Sequence, residues 1–185
     1  MPWLWITLGI LVIIIFYVAG TYNKLITLRN RIKDQWAQIE VQLKRRFDLV
    51  PNLVETVKGY AKHEKGTFED VIAARNKFAS ATTPEAEMEA SGELTKVLGR
   101  IMMLTEAYPD LKADKNFLKL QEDLKEIEEK IAYARQFYND RVLSYMNKIQ
   151  MFPSNIIASM FGFKEMKFFE ANEEAKEAPK VSFDK

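Results

Sequence analysis

Apolar residues along this chain fall into two regimes. From Trp3 to Gly20 they are nearly continuous, and no Lys, Arg, Asp or Glu occurs before Lys24. From Leu25 onward they recur at steps of three and four, the repeat that lines one face of an α-helix. The first stripe takes Leu28, Ile32, Trp36, Ile39, Leu43, Phe47, Val50, Val54, Val57 and Ala61. It begins with scarcely a gap after the apolar run, so one helix is predicted to pass from the first regime into the second. Pro51 interrupts the stripe. Proline lacks an amide donor and crowds the carbonyl four residues back, which predicts a bend near Phe47–Pro51.

Three further helical stripes follow. A corner is predicted at His63–Thr67, after which Phe68, Val71, Ile72, Arg75, Phe78 and Ala79 mark a short second helix. Thr82 and Glu85, three residues apart around Pro84, form a helix-start signal with Thr82 as cap. The third helix turns Met88, Leu94, Leu98, Ile101 and Met102 inward and ends before Tyr108-Pro109, where proline disfavours helix at the preceding residue. The fourth holds a heptad spacing through Phe117, Leu120, Leu124, Ile127, Ile131, Ala134 and Tyr138. Its stripe then slips by one place to Val142, Tyr145, Ile149 and Phe152, a stutter in a coiled-coil-like repeat.

No strand-like alternation of any length occurs. The expected fold is all-α: an N-terminal transmembrane helix continuing into an antiparallel up-and-down bundle of about four helices. The expected divisions are an anchor at 1–22, the bundle at 23–152, an apolar segment at 153–170, and a mobile polar tail at 171–185. Antiparallel packing of four helices brings the fourth back towards the membrane. The apolar segment, with Ile156, Ile157, Met160, Phe161, Phe163, Phe168 and Phe169, then lies near the bilayer.

The opening run is about as long as a hydrocarbon core of roughly 30 Å requires. Trp3 and Trp5 at one end and Tyr17 and Tyr22 at the other take the positions of interfacial aromatic belts. A cleaved signal peptide, with Val18 and Gly20 as a weak cleavage site, is the competing reading. Its basic leading region is missing here and the apolar core is long, so a retained anchor is favoured. Lys24, Arg29, Arg31 and Lys33 follow the span closely and nothing basic precedes it, which places the N-terminus outside and the bundle in the cytoplasm. Lys24 and Arg29 join the aromatics as expected membrane-interface residues.

Composition mostly removes options. Formal net charge is +1, so no global field draws nucleic acid to the chain. There is no cysteine, hence no disulfide, thiolate nucleophile or Cys-based zinc site. His63 is the single histidine. A ferritin-like dimetal bundle needs a Glu-x-x-His pair on each of two helices, and a zinc hydrolase needs more nitrogen ligands. The glycines form no phosphate-binding loop, and no nucleophile-elbow context surrounds the serines. No catalytic residue, metal ligand or cofactor-binding residue is assigned, and no cofactor is expected. The acids and lysines of the fourth helix read as a solvated face. Lys44, Arg45 and Arg46 lie about 30 Å along the helix from Tyr22, beyond a Debye length of about 8 Å, so pairing with acids on a neighbouring helix is favoured over lipid contact.

The run from Gln42 to Ala61, QLKRRFDLVPNLVETVKGYA, followed by His63-Glu64, closely resembles the signature segment of the LemA family of bacterial membrane proteins. Further matching pieces come in one order. They are Tyr22-Asn23, Leu28-Arg29-Asn30, the stretch Tyr108–Lys112, Asn116-Phe117, Tyr138-Asn139, Phe152-Pro153, Gly162-Phe163 and Phe168-Phe169-Glu170. The likeness covers Tyr22 to Glu170. It implies one N-terminal span, a soluble up-and-down bundle and the bacterial cytoplasmic membrane, and it supplies no reaction.

The functional expectation is a non-catalytic membrane scaffold that self-associates through its long helices, with the lipid bilayer and further copies of itself as partners. The alternative is a monomeric adaptor or sensor docking a partner membrane protein such as a protease or signalling protein. For Ile156–Phe163 two readings stand: a cap on the end of the bundle, which has the edge, or an interfacial segment or self-association patch.

Overall fold

The passage of one helix from the apolar run into the amphipathic stripe is observed. In a computed structural model that describes residues 2–169, α1 spans Pro2–Lys58 without a break. The tail expected at 171–185 lies outside the described residues. Leu25, Leu28, Ile32, Ile39, Leu43, Val50, Val54 and Val57 of the first stripe are buried. α1 runs through Pro51, whose ring is exposed. On that side water can satisfy the carbonyl that proline leaves without a donor, so the helix tolerates it.

Five more helices follow: α2 (Lys65–Ser80), α3 (Pro84–Ala107), α4 (Pro109–Ala113), α5 (Lys115–Gln150) and α6 (Ser154–Met160). The fold is all-α, with no strand among the described residues. The four long helices are those read from the stripes; α4 and α6 are short additions. α3 ends at Ala107, before Tyr108, as Pro109 requires. Pro109 then opens α4 as a first-turn proline.

Some details differ from expectation, among them Ala79, which is exposed near the end of α2. Thr83, not Thr82, caps α3, its Oγ1 accepting from the Ala86 amide at 3.2 Å. Pro84 occupies the first helical position, so the residue before it must be the cap. On α2, Ile72 is exposed and Ala74 is buried. Ile72 sits about 100° around the helix from the buried Val71, which carries it out of the stripe.

The described residues form two compact units: the chain to Glu40 with Tyr133–Phe168, and Val41–Ala132 with the chain from Phe169. In the second unit α1 to α5 each contribute to one core, among them Val57, Val71, Leu94, Leu111 and Phe117. Each such burial contributes roughly 2 kcal/mol. α2 and α3 lie antiparallel, since Lys77 pairs with Glu89 (2.9 Å) and Glu93 (2.5 Å) while Asp70 pairs with Arg100 (2.8 Å). α1 and α5 also run antiparallel there: Arg46 of α1 meets Glu128 of α5, and Tyr60, just past the end of α1, meets Asp114, just before α5 begins.

Among the described residues of this unit, Arg46 is the one charged side chain that is buried, at 1% exposure. Its guanidinium donates to Glu128 Oε1 (2.9 Å), Thr95 Oγ1 (2.7 Å), Ser91 Oγ (2.6 Å) and the Ser91 carbonyl (3.1 Å). One side chain of α1 thereby holds α3 and α5. The expected pairing of the Lys44–Arg46 cluster with an acid on a neighbouring helix is met at Arg46. Lys44 instead pairs with Asp48 on its own helix at 2.7 Å.

Asp114 sits where α4 ends and α5 begins. Its Oδ1 accepts from the Phe117 amide at 2.8 Å and its Oδ2 from the Tyr60 hydroxyl at 2.9 Å. The Phe117 amide and then the Tyr60 hydroxyl hold this carboxyl below the usual carboxylate range.

Two outcomes follow for stability. Arg46→Ala is expected to cost about 3–5 kcal/mol, and Arg46→Ala with Glu128→Ala no more than Arg46→Ala alone. With the cation gone, Glu128, which keeps about a third of its surface in water, has no bond left to lose. Denaturant melts of the four corners of this cycle measure it; simple additivity would count against Arg46 as the shared clamp. For Asp114, a depressed native pKa means its contribution is intact above the ordinary carboxylate value of about 4 and fades as pH falls through the lowered one. Asp114→Asn should therefore lower the melting temperature at neutral pH and flatten its decline below about pH 4.

Candidate membrane-proximal site

The apolar opening of α1 carries almost no packing. Side chains from Trp3 to Tyr17 are exposed, among them Trp3 and Trp5, and the segment is long and apolar enough to cross a membrane. Packing starts at its end, with Thr21 and Leu25 buried and Tyr22 at the margin. A helix that is apolar all round and uncovered suits hydrocarbon and not water.

At that end the first unit gathers residues separated by about 140 positions of sequence. Tyr22 lies 4.8 Å from Phe161 and 5.8 Å from Phe163, ring centre to ring centre, both in tilted or edge-on geometry. The Arg29 guanidinium stacks over Phe163 at 5.5 Å. The Arg29 Nε–H is buried without a protein acceptor. Phe161 also closes an open apolar groove of about 360 Å³ whose other walls are Ile14, Ile15, Val18, Ala19, Tyr22 and Asn23.

Local chemistry explains how the chain returns to Tyr22. α5 ends at Gln150, a cis Phe152-Pro153 bond follows, and the Ser154 hydroxyl donates to the Lys148 carbonyl at 2.7 Å. α6 then stops in a Schellman turn. Gly162 has φ +68°, its amide reaches the Ser159 carbonyl (3.2 Å), and the Phe163 amide reaches the Ala158 carbonyl (2.9 Å). A side chain is strained in that conformation, so glycine is required there.

Beyond the turn two tyrosines of α5 tie down the following stretch. Tyr145 donates to the Lys164 carbonyl at 2.8 Å and Tyr138 to the Lys167 carbonyl at 3.2 Å. Burial raises the Tyr145 hydroxyl above its ordinary pKa, so it remains a donor across the physiological range. Tyr138 also stacks edge-on against Trp36 at 5.7 Å.

The residues singled out from sequence separate as follows. Tyr22, Arg29, Phe161 and Phe163 meet in one cluster. Trp3, Trp5, Tyr17 and Lys24 are exposed and outside it. Ile156, Met160 and Phe168 are exposed, whereas Ile157 and Phe169 are buried and unavailable as outward contacts. Phe152, the last position of the α5 stripe, is 80% exposed, because α5 has already ended. The sequence reading missed Ser154, Gly162 and the hydroxyls of Tyr138 and Tyr145 as the parts that hold this region. The one available signal was a glycine set between Phe161 and Phe163 at the end of the uncharged stretch. His63 is exposed in the α1–α2 turn, and no group of three or more metal-ligating side chains occurs among the described residues.

An uncovered apolar helix continuing into a packed helical body defines a membrane-associated helical protein. The chain belongs to the LemA family, whose family model matches residues 35–183. It is 27% identical to Protein LemA of Metamycoplasma hominis over 167 residues, 89% of this chain and 76% of that protein. It is 25% identical to Magnetosome protein MamQ 2 of Paramagnetospirillum magneticum over 175 residues, and 23% identical to Magnetosome protein MamQ of Magnetospirillum gryphiswaldense over 174. Each of these two alignments covers 80% of this chain and 64% of the magnetosome protein, so the chain spans under two thirds of their length.

Backbone geometry at the turn predicts opposite signs for two glycines. No atom lies within 4 Å of a Cβ added at Gly162 or at Gly99, so neither substitution meets a clash. Gly162→Ala should cost about 1–2 kcal/mol through its positive φ alone. Gly99→Ala, within α3, should stabilise by about 0.5–1 kcal/mol. Melting of both variants in detergent decides it, and equal effects would remove the turn argument.

Proposed function

We propose that this chain is a non-catalytic scaffold, anchored by α1 in the bacterial cytoplasmic membrane and self-associating on its cytoplasmic side. The observation that carries the reading is α1 itself. A single helix is exposed and apolar from Trp3 to Tyr17 and buried along one stripe from Leu25, with no break between the two parts. A hinged linker would suit a freely tumbling domain; a continuous helix suits a part held in fixed relation to the bilayer. Lys24, Arg29, Arg31 and Lys33, directly after the apolar segment, favour the cytoplasmic side.

Self-association draws on a second feature. Tyr133 and Phe137 stand one turn apart on the side of α5 away from its buried stripe, 66% and 53% exposed. Aromatics in that position are what a helix-to-helix contact between copies uses. The magnetosome relatives carry names that refer to a cellular body and to no reaction, which agrees with an architectural role.

Light scattering on full-length protein, gently extracted in detergent, tests the proposal. A discrete oligomer is expected, and Tyr133→Ser with Phe137→Ser should reduce its mass while leaving helicity intact. A monomeric wild type sinks the scaffold and turns attention to a monomeric adaptor with a protein partner.

A further inference from the structure

The stretch around α6 is apolar on two sides. From Ile149 to Phe163 the chain carries no charged residue, in a sequence that is otherwise 29% charged. Ser154, Ile157 and Ala158 face inward and are buried. The opposite side holds Ile156 and Met160, one turn apart and 52% and 73% exposed, flanked by Phe152 and Phe161. A short helix capping a bundle in water needs an apolar inner side and a polar outer one. Here the outer side carries Ile156 and Met160 beside the uncharged Asn155 and Ser159, and packing within the chain accounts for the inner side only.

The location identifies what covers the outer side. Phe161 packs on Tyr22 and shares its groove with Ile14, Ile15, Val18 and Ala19, which belong to the apolar segment that is bare of protein. Ile14 and Tyr22 are about 12 Å apart along the helix. The surface of α6 is therefore continuous with a surface whose solvent is hydrocarbon. Charge supplies a second, independent indication. The chain as a whole is nearly neutral, but the unit containing this helix holds nine Lys and Arg against four Asp and Glu, a balance of +5. Lys24 and Arg29 follow the apolar segment of α1, and Lys164 follows α6. Apolar side chains bordered by cations match the boundary between acyl chains and anionic headgroups.

We propose that α6 with Phe152 and Phe161 is a second membrane contact, an interfacial helix seated at the headgroup–acyl boundary of an anionic leaflet. The inference rests on α1 being the anchor and adds what a single span cannot provide. One helix in a bilayer leaves the attached unit free to rotate about the helix axis. A second point of immersion, displaced from that axis, fixes the rotation and determines which face of the unit looks away from the membrane.

Because the sequence has no cysteine, single-cysteine labelling reads the proposal directly. Full-length protein is reconstituted into phosphatidylcholine vesicles with and without phosphatidylglycerol, carrying a fluorophore at Met160→Cys, Ile13→Cys or Lys119→Cys. Quenching is measured with iodide in the water and with a nitroxide near the headgroup end of the acyl chains. Label at Met160 should lose most of its emission to the lipid nitroxide and little to iodide, and Lys119 the reverse. The lipid quenching at Met160 should weaken without phosphatidylglycerol. Quenching of Met160 by iodide as strongly as Lys119 overturns the proposal. Protection from both quenchers also overturns it, since a second copy would then cover the helix. Equal lipid quenching in neutral vesicles overturns the anionic part. Ile13 separates the two readings: if it too is open to iodide, the anchor itself has failed. Ile156→Cys repeats the measurement should Met160→Cys alter the fold, with circular dichroism checking each variant.

Discussion

Long amphipathic helices can slide past one another by a turn with little change in their stripes, and the Arg46 contact opposes this in the second unit. Its guanidinium reaches Glu128, Thr95 and both oxygens of Ser91, so α1, α3 and α5 are held at one longitudinal register. Hydrophobic burial supplies most of the energy but is non-directional. A planar fork of donors is directional, and the bonds of its two terminal nitrogens form only when Ser91, Thr95 and Glu128 arrive together. Burying the cation costs desolvation, and the return is a unique register of the kind a single buried polar group fixes in helical assemblies. The acid partner lies at the edge of the site, a third exposed, while the base is sealed inside.

In the first unit, hydroxyls do similar work on irregular backbone. The segment after α6 has no helix of its own, yet its carbonyls at Lys164 and Lys167 are taken by Tyr145 and Tyr138 from one side of α5. These bonds, with the Schellman turn at Gly162, bring Phe161 and Phe163 to Tyr22 and Arg29. A buried tyrosine that donates to backbone combines packing area with a fixed distance, which suits the pinning of a loop along a helix.

The family match starts at residue 35, past the apolar segment, and so concerns the packed helices more than that segment. Much of the run Gln42–Ala61 now has a physical account. Arg46 clamps three helices, Leu43, Val50, Val54 and Val57 line the core, Pro51 lies on the wet side, and Tyr60 bonds the acid that caps α5. None of these tasks involves a ligand. The run reads as the part that builds the body, and the contacts with other molecules are sought elsewhere, on α5 and α6.

Periodicity determined the all-α class, the continuity of α1 and most of the inward positions of α5, because a helix with one buried face must repeat every three or four residues. Pro109 marked where α3 ends. Composition, not periodicity, marked the opening run as long and apolar enough to cross a membrane. Composition could say only that Arg46 wanted an acid. Choosing Glu128 among the many acids of α5, recruiting Ser91 and Thr95, and setting Tyr138 and Tyr145 on two distant carbonyls depend on contacts between residues far apart in the chain. The α6 region shows the same division. Its lack of charge was legible, but Ile157 turning inward while Ile156 and Met160 turn outward was not, because a helix of seven residues is too short for its phase to be read without knowing what it packs against.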